Sequence, residues 1–73
     1  MRRAFALFRD GRVEQRADRL AVSSFITWRA ISSTDELSER DIQAIVDTLQ
    51  YWKSCGEIEY RCRRIAEKLG VPA

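Results

Sequence analysis

The chain divides into two parts with different hydrophobic rhythms. In the first, the apolar run Ala4-Phe5-Ala6-Leu7-Phe8 is separated from Val13-Glu14-Gln15-Arg16-Ala17 by Arg9-Asp10-Gly11-Arg12. Asp-Gly at the centre of a two-residue loop is a strong short-range hairpin signal, because both residues tolerate the left-handed backbone that such a turn requires. An antiparallel β-hairpin is therefore predicted, with Arg9 opposite Arg12, Phe8 opposite Val13, Leu7 opposite Glu14, Ala6 opposite Gln15 and Phe5 opposite Arg16. Side chains alternate between the faces of a strand. One face would carry Ala4, Ala6, Phe8, Val13 and Ala17; the other would carry Phe5 and Leu7 beside Glu14 and Arg16 and would need a cover.

Residues 18–33 read two ways. Ser23-Ser24-Phe25-Ile26-Thr27-Trp28 has strand-like residue types, whereas Leu20, Ala21, Phe25, Trp28 and Ile31 recur at helical spacing, with Asp18 as a serviceable N-cap. Local propensity favours a third strand that extends the hairpin into a meander, since a lone hairpin is only marginally stable. A helix packed across the hairpin is the alternative.

From residue 34 onward the rhythm is helical. Ser38-Glu39-Arg40-Asp41 resembles a capping box, followed by an apolar stripe of Ile42, Ile45, Val46, Leu49 and Trp52. A second stripe follows in Ile58, Cys62, Ile65, Ala66 and Leu69, and Gly70 with Pro72 supplies a stop. At about 100° per residue, one straight helix would put the two stripes on opposite faces. A break is therefore predicted near Ser54-Cys55-Gly56-Glu57, with Gly56 ending one helix and Ser54 and Glu57 capping the next. The rival is a continuous helix covered on both faces by another subunit. The expectation for residues 1–73 is a single α+β domain, a β-rich basic front (1–33) packed on a helical hairpin (34–73).

Composition agrees with one small folded unit. Of the 73 residues, 45% are apolar and 33% charged, far from the pattern of disorder. No apolar run reaches the roughly 18 residues of a membrane span, and the opening run is short for a secretory signal, so the cytoplasm is the expected location. Arginine outnumbers lysine eleven to two, which reads as the mark of a GC-rich coding genome. The net charge of +2 conceals a polarity: residues 1–29 hold seven arginines against Asp10, Glu14 and Asp18, whereas residues 30–56 hold Arg40 and Lys53 against five acids.

These counts close off several chemistries. The chain has no histidine, so catalytic Ser-His and Cys-His pairs and the usual zinc sets cannot be completed from it. Three glycines form no phosphate-binding loop. Cys55 and Cys62, if on one helix, would stand about 10 Å apart, too far for a disulfide, and are expected to be reduced, buried apolar side chains. Glu57 with Glu59, and Asp35, Glu36 and Glu39, read as solvated helix starts complementing the helix dipole. No cofactor is expected.

Two binding chemistries remain. Arg61, Arg64 and Lys68 share one helix face, and Arg9, Arg12 and Arg16 belong to the arginine-rich front, so both groups are nucleic-acid candidates. Arg64-Ile65-Ala66-Glu67-Lys68-Leu69-Gly70-Val71 resembles the first helix and turn of the helix-turn-helix of bacterial repressors. That resemblance implies a DNA-reading helix after the turn, for which the sequence holds no residues; a generic amphipathic helix ending in a glycine cap is expected. The second chemistry is protein binding. Tyr, Trp and Arg dominate interface hot spots, and Tyr51 and Tyr60 lie off the apolar stripes, so they are candidate anchors together with Phe5 and Leu7. Trp28 and Trp52 are expected in the core. The prediction is a non-enzymatic protein-binding module, a bacterial or phage-encoded regulator or inhibitor acting stoichiometrically on a larger host protein or complex. The alternatives are a DNA-binding transcriptional regulator acting as a dimer and a structural homo-oligomer.

Overall fold

Ala4, Leu7 and Phe8 are spaced to fall on one side of a helix, and all three are buried on that side while Arg2, Arg3, Phe5, Ala6 and Arg9 face outward. The computed structural model, which describes residues 2–69, accordingly opens with a helix, α1 (Arg2–Asp10). It continues through α2 (Arg16–Thr27), a single 3-10 turn (Thr34–Glu36), α3 (Glu39–Ser54) and α4 (Ile58–Leu69). No strand occurs among the described residues. The expected α+β class, with its hairpin or three-stranded meander, is overturned: the fold is all-helical.

Asp10-Gly11, expected to turn a hairpin, instead ends α1. The amide of Val13 donates to the carbonyl of Phe8 at 2.8 Å and that of Arg12 to Arg9 at 3.0 Å, the paired bonds of a Schellman cap. The left-handed residue of the cap is Arg12, at φ 60°, not Gly11. Phe8 and Val13 do meet, as the hairpin reading required, but across a helix end and within the core.

The strand expected in residues 18–33 is likewise helix for most of its length. Gln15, not Asp18, occupies the N-cap of α2, and its side chain makes no capping hydrogen bond; Asp18 lies in the first turn. The residues that suggested a strand are satisfied locally. The hydroxyls of Ser24 and Thr27 donate to the carbonyls of Leu20 and Ser23, each at 2.8 Å. Ala21 and Val22 are buried and Ile26 packs against the core, so tertiary burial outweighs the slight helix aversion of branched side chains.

The second half follows its stripes. Ser38 and Asp41 form a reciprocal capping box at the start of α3, and Ile45, Val46, Leu49 and Trp52 are buried with Ile42 packed beside them. The chain breaks where Gly56 takes φ 74°. There Glu57 N donates to the Trp52 carbonyl at 2.8 Å and Gly56 N to that of Lys53 at 3.0 Å. Ser54 does not cap α4; its hydroxyl returns to the Gln50 carbonyl. Gly70 and Pro72, expected to stop α4, lie outside the described residues.

Helix α3 packs against α1, α2 and α4, and α2 also packs on α4. The core joins Ala4, Leu7 and Phe8 to Ile45, Leu49, Ile58 and Cys62; each large side chain so buried contributes roughly 1.5–3 kcal/mol. Ion pairs tie the end of α1 to the hairpin: Lys53 Nζ lies 2.8 Å from Asp10 Oδ2 and Arg12 Nε 3.5 Å from Glu59 Oε1. No described helix is long and apolar enough to cross a membrane.

Candidate functional site

Helix α2 is apolar on more of its circumference than its neighbours cover, and the surplus creates two surfaces. The first follows from how the helix ends. Trp28, at φ 61° and ψ 27°, is left-handed, a conformation that costs a residue with a Cβ roughly 1–2 kcal/mol. Its side chain is 94% exposed, against the expectation that it belongs to the core. Beside it runs an open groove of about 910 Å³, floored by Ala17, Leu20, Ala21 and Ile31 and flanked by Arg16 and Arg29.

The part of the lining that comes from the loop after α2 is fastened in place. The Ser24 hydroxyl that donates to Leu20 also accepts from the Ile31 amide at 2.9 Å, which holds Ile31 in a buried position. Beyond it, the Glu36 carboxylate accepts from the Ser32 amide and hydroxyl and the Ser33 amide at 2.7–2.9 Å. These bonds, the Ser32 hydroxyl's foremost, hold the Glu36 carboxyl below its ordinary range. Arg29 reaches the Asp41 carboxylate, whose own pKa is lowered first by the Ser38 amide. The loop after Trp28 is thus tied to both α2 and the start of α3.

The second surface lies between α2 and α4. A cleft of about 220 Å³ has Phe25, Trp52 and Tyr60 as its aromatic lining and Arg61, Arg64 and Lys68 as its cations. Phe25 is 51% and Tyr60 54% exposed. Trp52 is buried, as expected, and the Arg61 guanidinium sits 5.8 Å from the centre of its ring while Arg61 Nη2 lies 3.7 Å from Glu57 Oε1. Arg64 and Lys68 join no ion pair among the described residues, and no carboxylate lines the cleft.

The candidate residues named from sequence are redistributed accordingly. Tyr60, Arg61, Arg64 and Lys68 come together in the α2–α4 cleft. Arg9, Arg12 and Arg16 do not join them or one another: Arg9 lies near Phe5 and Arg19, Arg12 pairs with Glu59, and Arg16 flanks the Trp28 groove and donates to the Ser32 carbonyl. Phe5 is partly exposed, with the Arg19 guanidinium 5.4 Å from its ring centre. Leu7 packs in the core. Tyr51 is exposed on α3, away from both surfaces. Cys55, expected to be buried, is exposed at the end of α3, and Cys62 is buried; both are free thiols, and burial pushes the Cys62 thiol up to about 11.

Phe25 and Trp28 escaped sequence reasoning as surface residues. The available signal was the excess of apolar positions around α2, where Leu20, Ala21, Val22, Phe25 and Ile26 encircle the axis and a single buried face cannot hold them all. The resemblance to a repressor helix and turn places its helical part on α4, while the turn at Gly70-Val71 lies outside the described residues. Compared with known proteins, the chain matches no family model, no curated protein and no solved structure.

Proposed function

We propose that this chain is a non-enzymatic protein-binding module, a bacterial or phage-encoded regulator that acts by stoichiometric capture of a larger protein. The observation that carries the reading is Trp28, a side chain left 94% in water on a left-handed backbone. Local strain is kept where the surrounding structure enforces it and concentrates at binding sites, and tryptophan is foremost among interface anchors. Trp28 stands at the edge of a pre-formed apolar groove, so an occupant would bury the indole and the groove floor together without reordering the loop. Arg16 at the rim joins no ion pair among the described residues, and no carboxylate lines the groove, which favours an apolar segment flanked by an acidic residue. The absence of histidine from the sequence removes Ser-His and Cys-His catalysis, and two free thiols favour a reducing cytoplasm.

The test is affinity capture from lysate of the source organism with wild-type, Trp28→Ala and Tyr51→Ala chains, each checked for helicity. The wild type and Tyr51→Ala should retain one protein in near-equal amount, and Trp28→Ala should weaken its binding by about 30-fold, the effect of a hot-spot residue. Capture that survives Trp28→Ala overturns the reading. So does light scattering that shows a dimer converted to monomer by Trp28→Ala, because the groove's occupant would then be a second copy.

A further inference from the structure

We propose that the cleft between α2 and α4 is a second binding site, for single-stranded nucleic acid, with Phe25 and Tyr60 as stacking surfaces and Arg61, Arg64 and Lys68 as phosphate contacts. No residue lines both this cleft and the Trp28 groove, so the two sites stand or fall separately.

Arg61, Arg64 and Lys68 lie three and four residues apart on one face of α4, which spreads three positive charges over about 10 Å of helix. A row of cations along one helix face can track the phosphate backbone of a strand laid beside it. Arg64 and Lys68 have no ion-pair partner among the described residues, so an incoming phosphate displaces no carboxylate from them. Arg61 is held by the Trp52 ring and by Glu57, which fixes the direction of its guanidinium.

The rings decide between kinds of anion. A purely acidic peptide would satisfy the cations and leave Phe25 and Tyr60 half in water, whereas every nucleobase has a flat apolar face to lay against them. A duplex keeps its base faces stacked inside and would also leave both rings unused. A cleft of about 220 Å³ can receive a single unstacked base against its rings, which a duplex does not offer.

The experiment is fluorescence anisotropy with a labelled oligothymidylate of about 15 nucleotides, a duplex of equal length, and polyglutamate as competitor, using the full chain at several salt concentrations. The single strand should bind at low salt and weaken steeply as salt rises. Arg64→Ala with Lys68→Ala should weaken binding at least tenfold and make the slope of log affinity against log salt shallower by about 1.4, or 0.7 per lost phosphate contact. Tyr60→Leu, which keeps apolar bulk without a ring, should weaken binding by about five- to a hundredfold and leave the slope unchanged; Phe25→Leu should act in the same sense. Trp28→Ala should bind the oligonucleotide like wild type. The proposal is overturned by no binding at low salt, by equal affinity for the duplex, by equal competition from polyglutamate, or by ring variants that bind as wild type does.

Discussion

At the end of α3 the left-handed position of the cap belongs to Gly56, where a Cβ would meet nothing within 4 Å. At the end of α1 the equivalent position belongs to Arg12, and the glycine stands one residue earlier. The hydrogen bonds of the two caps are the same, Val13 to Phe8 and Glu57 to Trp52, each at 2.8 Å. What differs is the neighbourhood. A Cβ on Gly11 would lie 3.2 Å from both Cys62 Sγ and Ile58 Cγ1, two buried atoms of α4. Gly56 is therefore needed for its backbone and Gly11 for its missing side chain, and the chain accepts a strained arginine so that the end of α1 can close on α4.

That contrast is broken most directly at Gly11. Gly11→Ala should destabilise the fold by about 1.5 kcal/mol, the cost of overpacking reduced by the smaller entropy of the unfolded alanine chain. For a domain of this size the melting temperature should fall by roughly 6–12 °C. Removing one of the crowded atoms supplies the control: in a Cys62→Ala background the cost of Gly11→Ala should drop by about half. An equal cost in both backgrounds, measured by urea denaturation, would assign Gly11 a backbone role and dissolve the distinction.

Gly56→Ala should cost less, about 1 kcal/mol, because only the left-handed backbone opposes it and no atom stands in its way. No truncation on α1 or α2 should rescue it. A melting temperature unchanged by this substitution would mean that the cap relaxes to another geometry, and the two helix ends would then differ in more than the position of a glycine.

The same pair of caps explains what was legible in the sequence. Gly56 was readable because two apolar stripes out of phase demanded a break and a glycine stood between them; Ser38 and Asp41 were readable because a capping box is local in sequence. Asp10-Gly11 was not, because Asp-Gly suits a hairpin as well as a helix end, and Phe5, Leu7 and their neighbours fit a two-residue period. The discriminating pattern, Ala4, Leu7 and Phe8, is only one turn long. In α2 the branched residues Ile26 and Thr27 spoke for a strand, and burial of Ala21, Val22 and Ile26 against the rest of the fold overrode them. The site was half visible. Arg61, Arg64 and Lys68 follow from helical spacing and Tyr60 from its place off the stripe, but Phe25 completes the cleft only through the packing of α2 on α4. Trp28 is exposed because α2 ends at Thr27, a boundary that the alternation of polar and apolar residues does not mark.

The smallest effect tests the strain itself. Arg12→Gly places glycine where φ is 60° and relieves roughly 1–2 kcal/mol of left-handed strain. Against that stand the larger conformational entropy of an unfolded glycine, about 0.5–1 kcal/mol, and the ion pair with Glu59, which is exposed on both sides and contributes little. The balance is a gain of about 0.5 kcal/mol, or a rise of roughly 2–4 °C in melting temperature. Glu59→Gln separates the contributions: it leaves the Arg12 backbone untouched and removes only the exposed pair and one acid in the first turn of α4, together about 0.5 kcal/mol, so the melting temperature should fall by no more than roughly 4 °C. If Arg12→Gly instead destabilises the protein while Glu59→Gln does not, the arginine stem packs against α4 in a way that outweighs its backbone. The left-handed position would then be occupied by arginine for its contacts, and the two caps would be alike in using one residue for shape and the next for packing.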